Sequence, residues 1–268
     1  MSHCELLEAA ARCLGESDPD AKVALTRATA ARVGTGALHR AVGGSSPLLE
    51  DPGRPGRPIL VAPRDLPRRG LDQPEGRAAL VHAVAHIEFN AINLAWDAVQ
   101  RFPGMPAAFA CDWARVADDE ARHFAMLRGR LRALGYDYGD FPAHDGLWSM
   151  ARATADDVLA RMALVPRVLE ARGLDVTPGM IERLQRAGDA GTADCLKVIL
   201  REEVAHVAIG SRWYRWLCAQ RALPPRETYF RLLSEYLAGH VRCPLNRPAR
   251  LAAGFDEAEL DRLEALCR

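Results

Sequence analysis

Lysine is nearly missing from this chain: Lys22 and Lys197 are its only two in 268 residues, and arginine carries the rest of the positive charge. A GC-rich coding sequence produces the same bias, so it points to no function. Neither sign of charge is in excess, with 35 basic residues against 35 acidic. That balance excludes a global electrostatic footprint for nucleic acid or an anionic membrane. No two cysteines form a C-x-x-C pair; the seven stand scattered at 4, 13, 111, 195, 218, 243 and 267. An odd, scattered set reads as a reduced, cytoplasmic protein without disulfides or a thiolate metal site. No run looks long and apolar enough to cross a bilayer. The opening "MSHCELLEAAARCLGESD" breaks its apolar stretch with charges, so no signal peptide is expected. Nothing alternates with period two for long enough to predict a strand.

What the chain does have is apolar bulk in helical register. Hydrophobic residues make up 49% of it, enough at this length for a real core. Residues 1–42 read as helical, with a break at "GESDPD". Residues 43–76 are crowded with Pro and Gly and predict an extended arm. Its arginines at 54, 57, 64, 68 and 69 suit either a strap over the core or a contact with phosphate or RNA, and the strap is the reading preferred. Four long helical patterns follow, at Gly76–Phe102, Pro106–Leu134, Asp145–Arg172 and Pro178–Ala222, the last with a break near Gly188–Gly191. Shorter ones follow at Pro225–His240 and Asp256–Cys267. The expected class is all-α. The expected organisation is an N-terminal helical segment and arm (1–75), a four-helix bundle (76–222) and a C-terminal helical extension (223–268).

Two stretches, "DDEARHFAML" (118–127) and "REEVAHVAIG" (201–210), repeat one pattern. Each sets Glu and His three apart, on one helix face, among apolar neighbours. Glu120 and His123 share a face with Trp113, Val116, Ala117, Phe124 and Leu127; Glu203 and His206 share one with Leu196, Ile199, Val207 and Gly210. A carboxylate on an inward face is costly unless paired, protonated or bound to metal. The two preceding helices each carry a matching acid, Glu88 and Glu170. Glu88 precedes Glu120 by 32 residues and Glu170 precedes Glu203 by 33, so each half reads Glu, turn, Glu-x-x-His. This is the donor pattern of ferritin-like di-metal carboxylate bundles. Four carboxylates and two neutral imidazoles balance two divalent cations, and a set without thiolate suits Fe or Mn better than structural Zn.

Asp119 and Glu202 each stand four residues before a histidine and are candidates to orient the ligands or to make ordinary surface pairs. Tyr214, two turns beyond His206, suits a pocket wall or the core. His82 and His86 form H-x-x-x-H, for which packing or hydrogen bonding is preferred over metal, because His86 falls on the face opposite Glu88. His144, in the crossover before the third helix, suits a structural or gating role.

The stretches "HAVAHIEFNAINLAWDAV", "DDEARHFAMLRGRLRALGYDYGDFPAHDGLW", "LARMALVPRVLEARGLDVTPGMIERL" and "LREEVAHVAIGSRWY", with "RPGRPILVAPRDLPRRGL" in the arm, resemble an uncharacterised bacterial family of ferritin-like proteins, a domain of unknown function. The resemblance covers most of residues 40–245. It implies a ferritin-like four-helix bundle with a di-iron-type centre whose ligands are Glu88, Glu120, His123, Glu170, Glu203 and His206. More distantly the chain is similar to a di-iron hydroxylase acting on a modified adenosine of tRNA, a fold-level analogy.

The function expected is therefore an O₂-dependent di-iron oxidoreductase of unknown organic substrate, with two Fe ions (or Fe/Mn or Mn/Mn) and a protein electron donor. A monomer or dimer is expected rather than a cage, with no membrane partner. Metal handling as a ferroxidase or store is the alternative. A tRNA-modifying hydroxylase and a purely structural bundle are further readings.

Overall fold

A computed structural model describes residues 5–38, 48–67 and 69–267. Arg68, residues 43–47 of the arm, Cys4 and the two ends of the 1–42 stretch lie outside the described residues. The class is all-α, an helical-bundle fold as the periodicity predicts. Among the described residues extended backbone meets only in isolated bridges, Leu60 with Ala143 and Val241 with Cys267. The chain divides into two compact units, Met1–Arg152 and Ala153–Arg268.

The first unit holds α1 (Glu5–Gly15), α2 (Pro19–Gly34), α3 (Pro74–Arg101), α4 (Ala107–Ala133) and most of α5 (Gly146–Ala153). Asp18 starts α2: its side chain accepts from the Ala21 N–H at 2.8 Å, with Pro19 in the first turn. Lys22, fully buried, closes the end of α1. Its ammonium donates to the Cys13 and Leu14 carbonyls and to Asn93 Oδ1 of α3, at 2.7–2.9 Å. Burial lowers its pKa to about 7. Helices α3 and α4 form the central hairpin, with α1 laid on α3 and α2 on α4.

Contrary to the expectation that no segment could cross a membrane, α3 is long and apolar enough by length and composition. Its apolar window is 78% buried inside the fold, because every residue from Phe89 to Gln100 packs inward. The described part of the arm is tied to this unit by backbone hydrogen bonds. Gly53 N–H donates to Leu14 O at 2.8 Å, where a Cβ would stand 2.1 Å from Gly15 O, so only glycine fits. Farther on, Val61 N–H donates to Ala143 O and Ala143 N–H to Ile59 O.

The second unit holds α6 (Val158–Leu164), a π segment (Val165–Glu170), α7 (Ala171–Arg186), α8 (Ala190–Gln220), α9 (Pro225–Leu237), α10 (Arg247–Ala252) and α11 (Glu257–Ala265). The helix expected over Asp145–Arg172 is broken after Ala153 and restarts at Asp157, whose side chain accepts from Leu159 N–H. It then runs through Gly173 and Pro178, where a stop and a start were expected, to Arg186. The last long helix begins at Ala190, capped by Asp189, which accepts from Thr192 N–H at 2.9 Å.

A second correction concerns cysteine. Cys243 and Cys267 are joined by a disulfide, their Cα atoms 5.7 Å apart, against the expectation of a chain without one. Spacing could not reveal the pair, because the Val241–Cys267 bridge is what brings the loop after α9 to the end of α11.

Candidate metal centre

In the first unit Glu88 comes from α3, and Glu120 and His123 come from α4. The three-residue spacing stacks Glu120 and His123 on one face, and the hairpin brings Glu88 opposite. All three are buried, at 3%, 1% and 0% exposure. His123 Nδ1 lies 3.1 Å from a Glu88 oxygen and 3.4 Å from a Glu120 oxygen. One ligand atom from each lies within 4.8 Å of the others, a group that can hold a metal ion. Ala117, Phe124, Phe89 and Trp113, near it in sequence on α3 and α4, are buried too, and the Phe89 and Phe124 rings meet edge-on at 5.3 Å.

The electrostatics of this cluster are those of a site short of positive charge. Burial pushes the Glu88 carboxyl well above the ordinary carboxylate range and the nearby Glu120 charge pushes it further, with His123 opposing. Burial disfavours charge on His123, but hydrogen bonds and charge from Glu120 and Glu88 outweigh it and raise the pKa to about 11. Both shifts favour a retained proton in the cluster, with which metal binding would compete.

In the second unit α8 repeats the pattern. Glu203 and His206 are buried at 9% and 1% exposure, with His206 Nδ1 3.3 Å from a Glu203 oxygen. Glu170 closes the π segment and is half-buried.

The companion residues are placed as follows. Asp119 is half-buried and ion-paired with Arg122, and Glu202 is half-buried with Arg201 at 3.5 Å. Tyr214 is fully buried; its O–H donates to Pro225 O at 2.7 Å, and burial raises its pKa. His144 accepts from Gly146 N–H through Nδ1 at 3.1 Å. With His86, Ile87 and Leu66 it lines a cavity of about 160 Å³. His82 and His86 are fastened by hydrogen bonds: His82 Nε2 accepts from Gly139 N–H at 2.9 Å, and His86 Nδ1 meets the Tyr138 O–H at 2.9 Å.

Two of the arm's arginines are engaged with protein. Arg54 reaches Asp145 at 2.6 Å and stacks over Trp148, and Arg69 pairs with Glu75 at 3.1 Å and stacks over Phe141. Arg64 stays exposed beside Asp65.

Sequence reading missed a second buried charge cluster. Arg167, wholly buried in the π segment, donates from Nη2 to both oxygens of Glu259 at 2.9 and 3.0 Å. Tyr214, Tyr229 and Phe255 surround its guanidinium, 4.3–4.8 Å from their ring centres. Arg167 and Glu259 lie 92 residues apart, so no local spacing signals the pair.

An uncharacterised protein of Haemophilus influenzae is 49% identical to this chain over 214 residues, which are 77% of this chain and 74% of that one. No solved structure matches. The family described as "Protein of unknown function (DUF455)" matches residues 15–261, nearly the whole length, and the chain belongs to that family.

Proposed function

We propose that this is a ferritin-like di-metal carboxylate protein that uses iron for O₂-dependent oxidation of an organic substrate. In this reading Glu88, Glu120, His123, Glu170, Glu203 and His206 are the ligands of two divalent ions. The observation that carries it is the buried cluster of Glu88, Glu120 and His123. Two carboxylates and an imidazole placed this close in the core destabilise a fold unless protons or metal neutralise them. The donor set, oxygen and nitrogen without thiolate, suits Fe or Mn. The same Glu-x-x-His unit, buried again at Glu203 and His206, supports a second ion.

Iron bound at such a centre supplies reductive activation of O₂, with electrons from a donor protein. The chain's own part is to balance charge, orient and exclude water. Its carboxylates offset the cations, and His123 presents Nδ1 toward Glu88 and Glu120. The donors themselves are buried, which limits the access of water to them.

The test is metal analysis of the purified chain supplied with Fe or Mn. About two ions per chain are expected, and Glu120→Ala and His206→Ala should each lower the content. A wild-type chain that holds neither metal would falsify the reading. Uptake far beyond two ions, with a cage-sized assembly, would instead place the chain among iron stores.

A further inference from the structure

We propose that Pro166 and Gly210 are positioning residues for Glu170, the donor carried on the π segment; this rests on the di-metal reading above. A proline inside a helix offers no N–H to the carbonyl four residues back, and its ring crowds that turn. Here the backbone widens to a π turn over Val165–Glu170, with Pro166 in its first turn. Such a turn takes up one extra residue, which rotates everything after it by about 100° relative to a regular helix. Glu170 is the last residue of the segment, so its direction depends on where the wide turn sits.

Two sets of contacts hold that turn in place. The Pro166 ring occupies the space of a side chain at position 210: a Cβ on Gly210 would stand 2.3 Å from both Cβ and Cγ of the ring. Gly210 is one turn beyond His206 on α8, and Pro166 is one turn before Glu170. This close approach of the π segment to α8 lies one turn from the donors on both sides. From the other side, the Tyr229 O–H donates to Arg167 O at 3.1 Å, and Glu259 holds the Arg167 guanidinium. Ring against glycine sets the spacing between the two helices. The Arg167 contacts keep the segment from sliding or turning about its axis.

The test compares wild type, Glu170→Gln, Gly210→Ala, Pro166→Gly and the swap Pro166→Gly/Gly210→Ala. Each is loaded anaerobically with Fe(II) and read by metal content, the optical spectrum of the bound metal and helix content by circular dichroism. Gly210→Ala and Glu170→Gln should each lower the bound metal to a similar extent, at unchanged helix content. The swap relieves the collision but still lacks the ring that fixes the wide turn, so its metal should stay as low as that of Pro166→Gly. Should Gly210→Ala fail to fold, Pro166→Gly decides, since it removes the ring without a collision: lowered metal supports the role, and wild-type metal overturns it. A folded Gly210→Ala with wild-type metal and spectrum, or a swap with wild-type metal, also overturns it. Absence of metal from the wild type in the same run would overturn the di-metal reading itself, a visibly different result.

Discussion

Histidine on a buried face is a candidate ligand in one place in this chain and a packing residue in another, and neighbouring charge separates the two. His123 faces two carboxylates, whereas His82 and His86 stack on Tyr138 at 5.3 and 6.1 Å with neutral partners. Burial pulls both of the latter down from 6.5 to about 4. A histidine that takes its proton more easily unfolded than folded contributes stability above its unfolded pKa and loses it as pH falls through the folded one. The loss here should begin near pH 6.5 and be complete below about 4, on the order of 3 kcal/mol for each ring. Urea midpoints of wild type and His82→Gln between pH 7 and 4.5 measure it, since glutamine can still accept from Gly139. The variant should show a shallower decline; equal slopes would refute the assignment. The Glu-x-x-His pairs were legible because their spacing matches the helical period. The partners of His82 and His86, 52 to 58 residues away, were not.

Helix existence was readable along most of the chain, but helix ends were readable only where chemistry near in sequence makes them. Asp18 caps α2, and Asp256 with Glu259 forms a capping box at α11, both from residues a few positions apart. The stop expected at Gly173 and the start expected at Pro178 fail for a tertiary reason. Pro178 has no N–H to give Leu174 O, and Asn246 Nδ2 supplies the missing donor at 3.0 Å from 72 residues away. Arg250 and the Asn246 N–H hold the adjacent Asp175 carboxylate. Asn246 also starts α10, its side chain accepting from Ala249 N–H at 3.3 Å. Asn246→Ala should therefore destabilise the protein by about 1–3 kcal/mol, through a lost cap and an unpaired buried carbonyl. Thermal unfolding measures it, and a Tm within error of wild type would contradict the account.

Across the whole chain, long-range ties supplement the helix packing. The strap from Leu49 to Val61 holds to the first unit through Arg101 to Leu49 O, Gly53 to Leu14 O, and Arg54 to Asp145. In the second unit the Cys243–Cys267 disulfide closes a loop of 24 residues. A loop of that length restricts the unfolded chain by about 3 kcal/mol. Dithiothreitol, or Cys243→Ser, should lower the unfolding midpoint accordingly. A midpoint insensitive to reduction would show that the bond does not form in the protein as purified.

Everything that depends on period and composition was settled before any coordinate: the all-α class, the inward faces, the two Glu-x-x-His pairs and the acid before each. Those features follow from 3.6 residues per turn and the cost of exposing apolar surface, both of which act between neighbours in the chain. The Arg167–Glu259 pair, the rescue of the Leu174 carbonyl, the Pro166–Gly210 contact and the disulfide needed the folded chain. Each joins residues 24 to 92 positions apart, where packing alone chooses the partner and no repeat in the sequence records the choice.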